Sequence, residues 1–158
     1  MHKTYDIYDE LAFFNRSEFN SPDEMDYGFL RYLDKVRGMT GIPFVLTSDG
    51  RDPEHNARVG GVETSLHLFD TEKGLLCKAV DFVFPSSYYE DRSVRWKAFW
   101  SLTESVMQVA KNMRNTRLYK TTLHPYVQFE IVHSKVDRHF HLGLLRVPTG
   151  PELIIAAD

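Results

Sequence analysis

Tyr126-Val127-Gln128-Phe129-Glu130-Ile131-Val132-His133 runs into Ser134-Lys135-Val136-Asp137, and Arg138-His139-Phe140-His141-Leu142-Gly143-Leu144-Leu145 follows. Two runs rich in strand-forming residues around a four-residue loop read as an antiparallel β-hairpin. With Ser134–Asp137 as the loop, His133 pairs with Arg138, Val132 with His139 and Glu130 with His141. Directly opposed residues share a face, with Cβ atoms roughly 5 Å apart. Glu130 is therefore expected beside His141, and a one-residue slip in register would turn it to the other face.

Upstream, Lys78-Ala79-Val80-Asp81-Phe82-Val83-Phe84 reads as a strand closed by Pro85, with Ala79, Asp81 and Val83 on one face. Pro43-Phe44-Val45-Leu46-Thr47-Ser48 reads as another, ended by the turn residues Asp49-Gly50. Between them a short helix is expected from Asp52-Pro53 to Gly60-Gly61. A long helix is expected from about Asp91 to Met113, where Val94, Ala98, Leu102, Val106, Val109 and Met113 recur at helical spacing. An earlier helix is placed at about 22–37: Ser21-Pro22-Asp23-Glu24 offers a cap, a first-turn proline and acids, and Met25, Phe29, Leu33 and Val36 follow. Gly38 and Gly41 are expected to stop it. Segregated helices and an antiparallel sheet indicate an α+β fold.

The chain has 158 residues, which suits one domain spanning 1–158. A net charge of −3 gives no broad basic surface, and no nucleic-acid-binding motif is present. No run reaches the roughly 18 apolar residues of a membrane span. Cys77 is the single cysteine, so no internal disulfide is possible. Met1-His2-Lys3-Thr4-Tyr5-Asp6 lacks the apolar core of a signal peptide, so synthesis and folding in a cytoplasm are expected, with delivery by other means if the target lies outside.

The densest polar constellation is His67, Asp81, His139 and His141. A catalytic zinc site uses three nitrogen, sulfur or carboxylate ligands and keeps one position open, and two histidines with one carboxylate match that count. His139 and His141, two apart on a strand, share a face. Asp81 lies in an apolar strand, where a carboxylate is costly unless paired, hydrogen-bonded or metal-bound. Glu130 beside such a site suits a general base, or a partner that orients a histidine.

Thr47-Ser48-Asp49-Gly50-Arg51-Asp52-Pro53-Glu54-His55-Asn56-Ala57-Arg58-Val59-Gly60-Gly61-Val62-Glu63-Thr64-Ser65-Leu66-His67 closely resembles a stretch of the zinc D-alanyl-D-alanine carboxypeptidases and related phage endolysins, a family that shares its fold with the Hedgehog signalling domain. Ala79-Val80-Asp81 resembles the end of that family's Ser-x-His-x-x-Gly-x-Ala-x-Asp signature, Phe140-His141-Leu142 its last ligand motif, and Phe14-Asn15-Arg16-Ser17-Glu18-Phe19 its opening. The resemblance spans roughly 14–145. It implies zinc ligands at His67, Asp81 and His141, an Arg51 that holds a substrate carboxylate or carbonyl, and a Ser65 whose hydroxyl bonds substrate or backbone. Asn56, Gly60 and Gly61 are expected to be architectural. The implied activity is a D,D-carboxypeptidase or peptidoglycan endopeptidase acting on the stem peptide of the bacterial cell wall. The missing signal peptide suits a phage-derived lysin.

Three departures from the pattern bear on this expectation. His67 and Asp81 stand fourteen apart, where the signature has seven, so residues 68–78 carry an extra loop. Cys77 occupies the place of the signature glycine and is a further candidate ligand. Arg138 stands three before His141, where many members carry an acid, which leaves Glu130, or less favourably His139, as the base. Two rival readings stay open: a non-catalytic cell-wall-binding or virion structural domain that kept the fold, and a mononuclear iron oxygenase, whose facial triad is also two histidines and a carboxylate.

Overall fold

A computed structural model describes residues 4–113, 126–145 and 152–157. Five strands form one sheet in the order β1-β2-β4-β3-β5: β1 Val45–Ser48, β2 Ala79–Val83, β3 Tyr126–His133, β4 Arg138–Leu145 and β5 Glu152–Ala157. Neighbours from β1 to β3 are antiparallel, and β5 joins β3 in parallel. Helices α1 Tyr27–Thr40 and α4 Arg92–Met113 are long; α2 Pro53–Arg58 and α3 Ser87–Glu90 are short. This is the expected α+β architecture. Among the described residues no helix is long and apolar enough to cross a membrane.

Alternation along the strands divides the sheet into an apolar and a polar face. Val80 and Phe82 of β2, Phe140, Leu142 and Leu144 of β4, and Val127, Phe129 and Ile131 of β3 are buried on the first. They join Ala98, Phe99, Leu102, Val106 and Val109 of α4 and Phe29, Leu30, Leu33 and Val36 of α1 in one core. Aromatic rings dominate its centre: Phe44 stacks on Phe82 at 4.2 Å between centroids, and Phe140 meets Phe84 at 4.7 Å and Phe99 at 5.1 Å. Of the periodic residues expected to bury α4, Val94 is exposed, and the Met113 side chain lies outside the described residues. The buried Tyr32 hydroxyl donates to the Val106 carbonyl at 3.0 Å and ties α1 to α4.

The first helix departs from expectation at both ends. Pro22–Glu24 is a 3-10 turn, and α1 starts after Asp26, whose carboxylate accepts from the Phe29 N–H at 3.0 Å. The cause is long-range: Cys77 N–H donates to the Glu24 carbonyl and Asp26 N–H to the Cys77 carbonyl, both at 2.8 Å, so the chain at Met25 is held extended. At the far end Gly38 lies inside the helix, where the Phe13 ring occupies the space a Cβ would need. Gly41, in the left-handed region at φ 68°, makes the stop.

The hairpin register is the one read from the sequence: His133 opposes Arg138, Val132 opposes His139 and Glu130 opposes His141. On the other side of β4, His141 opposes Asp81. The polar face thus carries a row across three strands: Asp81, His141, Glu130. Next to it β1 bulges between Leu46 and Ser48, and Ser48 comes to oppose Asp81. Such bulges re-aim side chains at the edge of a site.

Candidate metal centre

His67 belongs to no strand of the sheet and is placed by backbone bonds to the segment after β1. Arg51 N–H donates to the His67 carbonyl at 2.8 Å, and Phe69 N–H to the Arg51 carbonyl at 2.9 Å. The Ser65 hydroxyl accepts from the His67 N–H at 3.3 Å. That is the backbone role allowed for Ser65. The His67 ring is buried, and its Nδ1 bonds the Asp49 carbonyl at 2.9 Å. A carbonyl only accepts, so Nδ1 carries the proton and Nε2 the lone pair.

That Nε2 lies 3.2 Å from Asp81 Oδ1 and 3.2 Å from His141 Nδ1, and His141 Nδ1 lies 2.9 Å from Asp81 Oδ1. The outer nitrogen of His141, Nε2, bonds Gln128 Oε1 at 2.8 Å. With both outer nitrogens donating, the two inner nitrogens and the carboxylate oxygen all present lone pairs to one point. Lone pairs at that range repel unless a proton or a cation lies among them. Ligand atoms about 2.0–2.1 Å from a tetrahedral zinc ion lie about 3.3–3.4 Å from each other, so the trio has the donor set and nearly the spacing the ion requires. Burial pushes the Asp81 carboxyl up, but a proton carried by His141 or His67 and shared with it across these contacts outweighs this and holds it well below the usual carboxylate range. Its second oxygen, Oδ2, pairs with Arg51 at 3.5 Å, and Arg51 also donates to the Ser48 hydroxyl at 3.2 Å.

A family model, Peptidase M15, matches residues 8–118. The chain belongs to that family. M15 peptidases are metal-dependent hydrolases, and His67, Asp81 and His141 form the candidate metal site. Comparison with curated proteins and with solved structures found no match. The matched residues contain Arg51, Ser65, His67 and Asp81 but end before β3 and β4. His141, the third member of the candidate site, and Glu130 are therefore brought there by strand register, outside the matched region.

The remaining candidates of this M15 chain divide. The Glu130 carboxylate has no hydrogen-bond or ion-pair partner among the described residues, and it flanks the candidate trio without belonging to it. His139 shares the face of His141, but its Nδ1 bonds Asp137 at 2.9 Å, at the loop end of the hairpin. Arg138 points to the other face, where its guanidinium lies 5.8 Å from the centre of the Tyr89 ring. Cys77 is no ligand: its thiol is fully buried and donates to the Ala79 carbonyl at 3.2 Å. Burial raises that thiol to about 12. Asn56 is architectural as expected, its side chain donating to the Val62 carbonyl at 3.0 Å while Gly61 leaves it room. The extra residues after His67 fold into a small hairpin of their own, with Asp70 bridged to Leu75 and Gly74 left-handed at φ 63°.

Two contributors escaped the sequence reading. Asp49 was read only as a turn residue, and its role runs through its main-chain carbonyl, which no side-chain pattern reveals. Gln128 had a signal: in the expected register it faces Gly143, which offers no side chain, and lies diagonal to His141.

Proposed function

We propose that this M15 chain is a zinc peptidase that hydrolyses peptide bonds of the bacterial peptidoglycan stem peptide containing D-amino acids. The observation that carries the reading is the convergence of His67 Nε2, Asp81 Oδ1 and His141 Nδ1, with Arg51 on the remaining Asp81 oxygen. A zinc ion held by those three residues would supply Lewis acidity, lowering the pKa of a water and polarising the scissile carbonyl. Glu130 takes the proton of the attacking water and returns it to the leaving amine. His139 is the less suitable base, because its Nδ1 is engaged by Asp137. Arg51 has further N–H donors beyond those spent on Asp81 and Ser48, and these anchor a substrate carboxylate or carbonyl.

Metal content is the first test: about one zinc per chain in the wild type, lost in His67→Ala and Asp81→Asn. Cleavage of purified peptidoglycan fragments by the zinc-loaded protein, reduced 10²–10⁴-fold in Glu130→Gln, is then expected. Undiminished cleavage by Glu130→Gln would remove Glu130 from the mechanism. Arg138 favours a second reading, a cell-wall-binding relative without turnover, since it stands where many members carry an acid and turns to the opposite face. Binding to cell walls by a zinc-loaded protein that cleaves nothing would select that reading. Membership in a peptidase family argues against the iron oxygenase alternative.

A further inference from the structure

We propose that Gln128 is the positioning residue for His141, its amide oxygen selecting the ring orientation and tautomer that aim Nδ1 at Asp81 and His67. The inference rests on the metal-site reading above and adds to it a residue outside the ligand set. A histidine on a strand can turn its ring by half a rotation about χ2 at little cost, because that torsion is broad and two-fold. Turning the His141 ring exchanges Nδ1 with Cδ2 and Nε2 with Cε1. A carbon would then face Asp81 Oδ1 and the ligand would be lost. The same turn would also break the 2.8 Å bond between Nε2 and Gln128 Oε1. That bond therefore opposes the unproductive orientation. It also requires a proton on Nε2, which leaves the lone pair on Nδ1, where the trio converges.

Strand geometry explains why residue 128 can do this. Gln128 and Glu130 lie on the same face of β3, so their side chains flank the His141 row in parallel. Gln128 opposes Gly143, and a Cβ at 143 would come within 2.6 Å of Leu66 Cδ1. With no side chain opposite, Gln128 reaches diagonally along the face to His141, a distance long side chains span. A neutral acceptor also suits the place. Glu130 stands two residues away on the same face and Asp81 lies across His141, so a carboxylate at 128 would add a third negative group, which repels its neighbours in the metal-free protein and is offset once a cation is bound. The two ligand histidines are thus oriented by the same device from different sources: a main-chain carbonyl for His67 and a side-chain amide for His141. Only the second can be removed by substitution.

The test measures Zn²⁺ affinity by competition with a chromophoric chelator, and the visible spectrum of the Co²⁺-substituted protein, for wild type, Gln128→Leu and Gln128→Glu. Gln128→Leu keeps the bulk and loses the acceptor; it is expected to bind zinc 10–100-fold more weakly and to alter the cobalt bands. Gln128→Glu keeps an acceptor and is expected to bind at least as tightly as wild type, which also serves if the leucine variant fails to fold. The thermal midpoint of the chelator-treated Gln128→Leu protein is expected to stay at the wild-type value, as it would not if Gln128 served only the fold. Unchanged zinc affinity and cobalt spectrum in Gln128→Leu, or a tenfold loss in Gln128→Glu, would overturn the proposal while the metal site stood. A wild type that takes up no metal would overturn both together.

Discussion

Replacing Asp49 by alanine separates what holds the fold from what shapes the candidate metal site. The Asp49 carboxylate is buried and accepts the Asn20 N–H at 2.6 Å and the Ser21 N–H at 3.2 Å, while its carbonyl takes His67 Nδ1. The residue thus joins the N-terminal segment to the ring of His67. A hydrogen bond to a charged group contributes about 1.5–3 kcal/mol, and its loss leaves a donor to be resolvated. The second bond is long and Asn20 is exposed, which places the sum near the low end, about 3–4 kcal/mol. Against a total of about 5–15 kcal/mol this is large. For a chain of this length it lowers the melting midpoint by about 6–16 °C. Asp49→Asn retains one acceptor oxygen and is expected to lose about half as much. Zinc affinity of the folded Asp49→Ala protein should fall by well under tenfold, since the acceptor for His67 is main chain and survives. Urea unfolding of the chelator-treated proteins, at unchanged m-value, gives the stabilities, and chelator competition gives the affinities. A stability change below 1 kcal/mol would refute the tie to the N-terminal segment. A hundredfold loss of zinc affinity in a stably folded Asp49→Ala would refute the assignment of the His67 contact to the carbonyl.

Three further outcomes are expected. Cys77, buried and with its thiol raised to about 12, should resist a thiol reagent at pH 8 in the folded protein and react fully in guanidinium; rapid modification of the native protein would contradict its placement. Tyr32→Phe should cost about 1 kcal/mol in urea unfolding by removing the hydroxyl's bond to the Val106 carbonyl, which keeps its place in the α4 ladder, with no change in zinc affinity; a neutral effect would remove the α1–α4 tie. His133 is depressed by burial and by Arg95 and Arg138, so the folded state binds its proton less readily than the unfolded chain does. Its contribution is then neutral above its ordinary value and turns destabilising as pH falls through that value towards the depressed one. His133→Gln should therefore lose less stability between pH 7.5 and pH 5 than wild type, and an equal loss would contradict the shift.

What sequence could foresee follows the range of the interactions involved. The β3–β4 register was readable because a short loop fixes it locally, and with it came the pairing of Glu130 with His141. The start of α1 was not readable, because a contact with Cys77, some fifty residues away, holds Met25 extended and overrides the capping signals at Ser21 and Pro22. Gly38 looked like a stop for a similar reason: its role is to admit the Phe13 ring from a preceding segment. At the candidate site, the residue types that converge and their order were visible, while the groups that orient them were hidden where they act through main chain.

The fourteen-residue separation of His67 and Asp81 would threaten the site only if His67 depended on its covalent link to β2 for position. It does not. Its carbonyl is fixed by Arg51, its N–H by Ser65 and its ring by Asp49, all on the chain before it. The extra residues leave after Phe69 and form the Asp70–Leu75 bridge, and the chain returns where Lys78 N–H donates to the Leu66 carbonyl at 2.8 Å. The inserted hairpin is thus closed by its own bridge beyond His67, and the chain returns by a backbone bond to the residue just before it. Lengthening a loop that is already closed costs only a slowly growing entropy, about 0.6 kcal/mol per doubling. Shortening the tip, by deleting Glu72 and Lys73 for a tighter turn, should accordingly leave zinc affinity within about threefold of wild type. A loss of metal on that deletion would show that His67 is placed by the loop after all, and the argument from Arg51, Ser65 and Asp49 would fail.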